Sequence, residues 1–148
     1  MAKFIGEYGV KIDDKGRMVI PSAFKSVMPP EEPLSFVVKK DLFENCLVMY
    51  TYREWEKESE QVKSRLNFFN REHALFWREY MRDRAVVEPD GKLGRISIPR
   101  RLLAAIGAEK EIVFAGNDHK IEIWAKEAYE ATQVPQSDFI SLAEKILG

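Results

Sequence analysis

The feature that most constrains the fold of this chain is an internal repeat. The stretch DDKGRMVIPSAF at 13–24 matches GKLGRISIPRRL at 91–102, with Gly-Arg, Ile-Pro and an apolar residue three positions after the proline in register. A second match, LVMYTYREWE at 47–56 with IEIWAKEAYE at 121–130, follows in the same order. Two matches in one order indicate a duplication, so the fold must bring together two similar halves.

Each half is expected to form a strand, a tight turn, a return strand, a short helix and a hairpin. Asp13 and Gly16 occupy the first and fourth positions of a predicted type I turn, where these residue types are favoured. Pro21 and Pro99 are expected at the first position of a helix, where proline is tolerated. The predicted strands are 8–12 and 17–20, then 35–39 with 46–50, and in the second half 111–114 with 120–124.

Because an isolated hairpin is marginally stable, the two halves are expected to pair their edges into one closed barrel. The predicted fold class is α+β: two tandem half-domains forming one β-barrel, with helices outside. The predicted segments are 1–57 as first repeat, 58–83 as helical connector, 84–131 as second repeat and 132–148 as C-terminal helical tail.

The connector and the tail both have apolar residues at helical spacing. In the connector an aromatic face favours packing on the barrel, with a subunit contact as the alternative. In the tail, which follows Pro135, the short apolar face predicts docking on the chain itself or on a neighbour. The residues are Val62, Leu66, Phe69, His73, Phe76, Trp77 and Tyr80 in the connector, and Phe139, Leu142, Ala143 and Ile146 in the tail.

Composition excludes several classes of protein. The chain has no long apolar run and no apolar leader, which predicts a cytoplasmic protein without a membrane partner. Its single cysteine, Cys46, excludes a disulfide framework within one chain. His73 and His119 lie on different predicted elements, and no nucleophile or phosphate-loop motif is present. We therefore expect no enzyme, no metal, no cofactor and no small-molecule substrate.

Net charge is −1, but basic residues concentrate around the two Gly-Arg stretches, with five cations against three carboxylates in 1–30 and five against two in 84–107. A locally basic surface on an acidic body suits phosphate binding. An arginine directly after a turn glycine presents a rigid fork of donors to phosphate or guanine. The candidate DNA-binding residues are Arg17, Arg95, Lys15 and Lys92, supported by Asp13, Gly16 and Gly94.

The motifs resemble those of the MraZ family, in the AbrB-like swapped-hairpin superfamily, over nearly the whole chain. The resemblance rests on FIGEY at 4–8, on DDKGR at 13–17 with Ile-Pro at 20–21, on Gly-Arg at 94–95 with Ile-Pro at 98–99, and on IEIW at 121–124. It implies a pseudo-dimeric swapped-hairpin barrel and a closed-ring homo-oligomer that binds repeated boxes in double-stranded DNA. It also implies a nucleoid-associated regulator, usually a repressor, of the bacterial division and cell-wall gene cluster.

The second copy departs from the pattern at one position. In register with Asp13 it has Gly91, and the nearest acid, Asp90, lies one residue earlier. Arg17 is therefore expected to contribute more to binding than Arg95. Two alternatives stay open: an AbrB-like antitoxin whose tail wraps a toxin, and a structural assembly protein whose basic hairpins only pair with acids.

Overall fold

The computed structural model describes residues 3–28, 35–90 and 94–148, so the proline-rich loop at 29–34 and Lys92 lie outside the described residues. The first half contains β1 (Glu7–Lys11), β2 (Arg17–Val19), α1 (Ser22–Lys25), β3 (Phe36–Lys40), β4 (Leu47–Thr51) and α2 (Tyr52–Ser64). Helix α3 (Arg71–Met81) follows. The second half contains β5 (Ala85–Val87), β6 (Arg95–Ser97), α4 (Arg100–Ala105), β7 (Glu111–Asn117), β8 (Lys120–Ala125), α5 (Lys126–Glu130) and α6 (Gln136–Leu147). The α+β prediction is confirmed.

Six strands form one antiparallel sheet in the order β1-β7-β8-β4-β3-β5. In the repeat, β1 corresponds to β5, β3 to β7 and β4 to β8. Replacing each strand by its counterpart gives the same order read backwards, so a pseudo-two-fold axis lies between β8 and β4. Strand β1 pairs with β7 of the other half, with Tyr8 opposite Phe114. Strand β5 pairs with β3, with Val86 opposite Val37. Each half therefore contributes its first strand to the hairpin of the other half.

Strands β2 and β6 form a separate two-stranded antiparallel sheet, which we call the ribbon. Its central pair is Met18 opposite Ile96, and each side chain is 1% exposed. The predicted closed barrel is not observed, because neither sheet closes on itself among the described residues. Each ribbon strand has only three residues. Pro21 and Pro99 follow shortly after, and a proline has no N–H with which to extend a ladder toward β1 or β5.

The core lies between the two sheets and includes side chains from α1 and α4. Phe24 of α1 is 1% exposed and contacts the rings of Phe4 and Tyr8 edge-on, at centroid distances of 5.5 and 5.1 Å. Burial of one such side chain stabilises the fold by about 1.5–3 kcal/mol. The helix starts were predicted one residue too early. Pro21 and Pro99 have extended ψ angles of 134° and 138° and occupy the N-cap position instead.

The connector breaks into α2 and α3, as its spacing allowed, but its aromatic face does not join the core. No residue of α3 is buried, and Phe69 before it is fully exposed. Polar contacts hold α3 instead: the Tyr80 hydroxyl donates to Glu58 of α2 at 3.0 Å, and Lys39 Nζ of β3 lies 3.3 Å from the same carboxylate. Burial raises the pKa of Glu58, but the Tyr50 hydrogen bond and Lys39 outweigh it, and the net pKa is lowered.

Candidate nucleic-acid interface

The turn between β1 and β2 is closed by hydrogen bonds at both ends. The Gly16 amide donates to the Asp13 carbonyl at 3.0 Å, as in a β-turn, and the Asp13 amide donates to the Arg17 carbonyl at 2.9 Å. Gly16 has a φ of +78°, in the left-handed region where a side chain is strained. The predicted turn is therefore present, and it needs glycine at its last position.

The Asp13 carboxylate organises this turn and holds Arg17. One oxygen, Oδ1, accepts from the amides of Lys15 at 2.9 Å and Arg17 at 2.8 Å, and Oδ2 accepts from Arg17 Nε at 2.9 Å. The Arg17 amide is the main cause of the lowered pKa of Asp13, against a smaller opposing effect of desolvation. The contact uses only Nε, so the two terminal nitrogens of Arg17 are left without a hydrogen bond to any described residue.

The second hairpin repeats this arrangement with one more residue in its loop. The Asp90 amide donates to the Arg95 carbonyl at 2.7 Å, so Asp90 occupies the position that Asp13 has in the first hairpin. Gly94 has a φ of +65°. The ion pair is looser, because Arg95 Nε lies 3.7 Å from Asp90 Oδ1 and has no hydrogen-bond partner. The displaced acid is thus restored in space, but it holds its arginine less tightly.

The ribbon places both arginines on one exposed face. Arg17 lies opposite Ser97, and Val19 opposite Arg95, on either side of the buried central pair. Because side chains alternate along a strand, these four residues all point away from the core. Arg17 and Arg95 are diagonal neighbours across the ribbon, a relation that corresponds to about 7–8 Å.

Among the described residues, three further cations lie around this face, and only Lys15 was predicted from the sequence to bind DNA. Lys15 is exposed on the first turn, as predicted. Arg100 of α4 donates from Nη2 to the Asp14 carbonyl at 3.4 Å and so crosses to the first hairpin. Lys25 of α1 lies against the turn glycine of the second hairpin. Its Nζ is so close to Gly94 that a Cβ added to that glycine would lie only 2.9 Å from it. The available signal for Arg100 was its position directly after the repeated proline.

The residues that suggested chemistry have structural surroundings. His73 Nδ1 accepts from the Asn67 amide at 2.9 Å, and the ring of His119 lies 6.2 Å from that of Tyr50. Cys46 is fully buried, and burial raises the pKa of its thiol to about 12. Within the described ranges, no three His, Cys, Asp or Glu side chains come together as a metal site. In the same ranges no helix has the length and apolar character to cross a membrane.

Comparison with known proteins agrees with the resemblance seen in the motifs. A family model described as "MraZ protein, putative antitoxin-like" matches residues 3–79 and 82–145, and each stretch contains one Gly-Arg hairpin. The chain is 37% identical to the transcriptional regulator MraZ of Bacteroides thetaiotaomicron, over 99% of this chain and 94% of that protein. It is 39% identical to the protein of the same name from Lachnoclostridium phytofermentans, over 93% and 92% of the two chains. The chain belongs to the MraZ family.

Proposed function

We propose that this protein is a sequence-specific DNA-binding transcriptional regulator that contacts duplex DNA with the exposed face of the ribbon. The observation that carries the proposal is the paired presentation of Arg17 and Arg95 on that face, each beside a carboxylate that approaches its Nε. A guanidinium held at Nε presents its terminal nitrogens outward. These can donate to the O6 and N7 atoms of guanine or to a phosphate.

The shape of the ribbon suits this role. The major groove of B-form DNA accommodates a two-stranded β-ribbon. A buried central pair and short strands keep this ribbon rigid. Little conformational entropy is therefore lost in ordering it when DNA binds. Lys15 and Arg100 flank the face and suit phosphate contacts, which fix the register of a protein on DNA.

The strand exchange between the halves supports the AbrB-like swapped-hairpin arrangement, with segments 1–57 and 84–131 as its two repeats. A pseudo-two-fold axis passes between Met18 and Ile96 at the centre of the ribbon. Duplex DNA has local two-fold symmetry, and DNA-binding folds with matching symmetry place equivalent groups on symmetry-related half-sites. In this arrangement the two hairpins contact one site together.

Exposed apolar helices support a homo-oligomer. Phe139, Ile146 and Leu147 of α6 are 63, 72 and 84% exposed, and no residue of this helix is buried. On α3, Leu75 is 55% exposed and Phe76 is 40% exposed. Apolar faces of this kind mark protein interfaces. If one of these faces binds the other face on a neighbouring subunit, the contact is head-to-tail. Such an assembly closes into a ring when the rotation between neighbouring subunits permits.

The proposed regulatory target rests on the resemblance to the family. Relatives across the whole length are named transcriptional regulators, and the resemblance extends the proposal to repression of the division and cell-wall gene cluster from repeated promoter boxes. The protein is then located in the cytoplasm, at the nucleoid. A second candidate function, an antitoxin, is favoured by the exposed α6, which would bind a toxin. Co-purification of a small partner protein is the result that would support it.

The proposal is tested by fluorescence anisotropy with duplex DNA from immediately upstream of the gene, across a series of salt concentrations. Phosphate contacts make log K fall with log salt by about 0.9 for each contact. We expect Lys15→Ala to reduce that slope by roughly one contact and to leave the preferred sequence unchanged. Lys63→Ala, an exposed lysine on α2, is the matched control. A wild-type affinity for DNA that does not change with salt concentration would refute the proposal.

A further inference from the structure

The outer face of the ribbon carries two residues besides its arginines, and they break its symmetry. Val19 and Ser97 occupy equivalent positions in β2 and β6, one residue beyond the buried central pair. Val19 is 47% exposed and Ser97 is also exposed. One half of the face is therefore apolar where the other half offers a hydroxyl.

Position distinguishes Val19 from an ordinary exposed apolar residue. The core is filled by its neighbours Met18 and Ile20, each 1% exposed, and Val19 projects to the opposite side. It lies directly across the ribbon from Arg95, where Cβ atoms are about 4.5–5.5 Å apart. Ser97 has the same relation to Arg17. If the arginines reach base edges, both residues lie within the same contact area.

We propose that Val19 contacts the 5-methyl group of a thymine in the major groove, while Ser97 donates or accepts a hydrogen bond at the equivalent base pair. The inference rests on the proposed DNA-binding function and deepens it. An apolar side chain recognises thymine because its methyl is the apolar group that base pairs expose in the major groove, whereas serine bonds to several bases. The pseudo-symmetric ribbon then recognises an asymmetric DNA word.

The geometry predicts the layout of that word. Guanines are expected opposite Arg17 and Arg95, since bidentate contact to O6 and N7 is the commonest specific role of arginine. The thymine is expected beside the guanine bound by Arg95, because Val19 is the cross-strand neighbour of that arginine. No methyl is required beside the guanine bound by Arg17.

The test selects duplexes from a random library with the full-length protein and then replaces each thymine of the selected word by uracil, which removes only the methyl. We expect one replacement to weaken wild-type binding about three- to fivefold, as for loss of one buried methyl group. Val19→Ser is expected to bind thymine and uracil duplexes equally. Val134→Ser, which changes a valine of 49% exposure in the tail, is the matched control and should keep the sensitivity.

The outcomes separate the inference from the function on which it rests. Selection of a word in which no uracil weakens wild-type binding overturns the role of Val19 and leaves DNA recognition standing. Failure to select any word overturns both. The wild-type scan needs no variant, so it can overturn the inference even if the Val19→Ser protein fails to fold. If Ser97→Val binds more weakly when a thymine at the equivalent base pair is replaced by uracil, that result would support the position assigned to Ser97.

Discussion

Removal of α6 by ending the chain after Pro135 is expected to disrupt the homo-oligomer and to weaken binding to a promoter with several boxes by about 10²–10⁴-fold. Affinity for a duplex with one box should change little. The reason is that linked sites convert later binding events into intramolecular ones, and the advantage disappears when the subunits separate. The effect is large because several weak contacts are lost together.

A point variant tests the same interface in the full-length chain. Leu142 lies on the apolar face of α6 with 47% exposure, and Ser141 is its exposed neighbour on the polar face. We expect Leu142→Glu to shift the mass measured by light scattering toward a monomer and Ser141→Glu to leave it unchanged. An unchanged oligomer in both Leu142→Glu and the truncated chain would exclude α6 from the interface.

The second large effect is expected from Arg17→Ala, with a loss of about 1–3 kcal/mol in specific binding, or roughly 5- to 150-fold in Kd. Folding should be intact, since the Arg17 side chain pairs with a partly exposed carboxylate and such pairs contribute about 0–1 kcal/mol to stability. Arg95→Ala should cost less. Its Nε lies 3.7 Å from Asp90, against 2.9 Å for the first pair, so that guanidinium is less firmly oriented before DNA arrives.

Competition anisotropy with the selected duplex and a scrambled one measures both losses. Arg17→Lys keeps the charge and removes the planar fork, and we expect it to retain affinity for scrambled DNA while losing discrimination. Arg65→Ala, an exposed arginine at the end of α2, is the control. Equal losses for Arg65→Ala and Arg17→Ala would mean that only total charge matters.

Local features of the hairpins could be predicted from the sequence. The turn between Asp13 and Gly16 follows from residue preferences at fixed positions, and most predicted strands match the observed ones within about two residues at each end. The role of Asp90 could not be predicted by aligning the two copies residue by residue. The second loop is one residue longer, so the acid is displaced in the sequence. The backbone bridge between Asp90 and Arg95 nevertheless places it where Asp13 lies in the first hairpin.

Long-range features were harder to predict. The exchange of β1 and β5 between halves depends on pairings such as Tyr8 with Phe114, which no local pattern records. The spacing of α3 indicated an apolar face but could not say what covers it. Its attachment depends on a polar cluster at Glu58, whose members come from α2, α3, β3 and β4.

The central claim is that the outer face of the ribbon meets DNA. It is tested most directly by attaching a photo-cross-linker to Ser97→Cys and irradiating the complex with the selected duplex. The native Cys46 is fully buried, so the introduced thiol is the one that reacts. We expect a strong protein–DNA cross-link at this position and none with Ser64→Cys on α2. Cross-linking from Ser64→Cys and none from Ser97→Cys would contradict it.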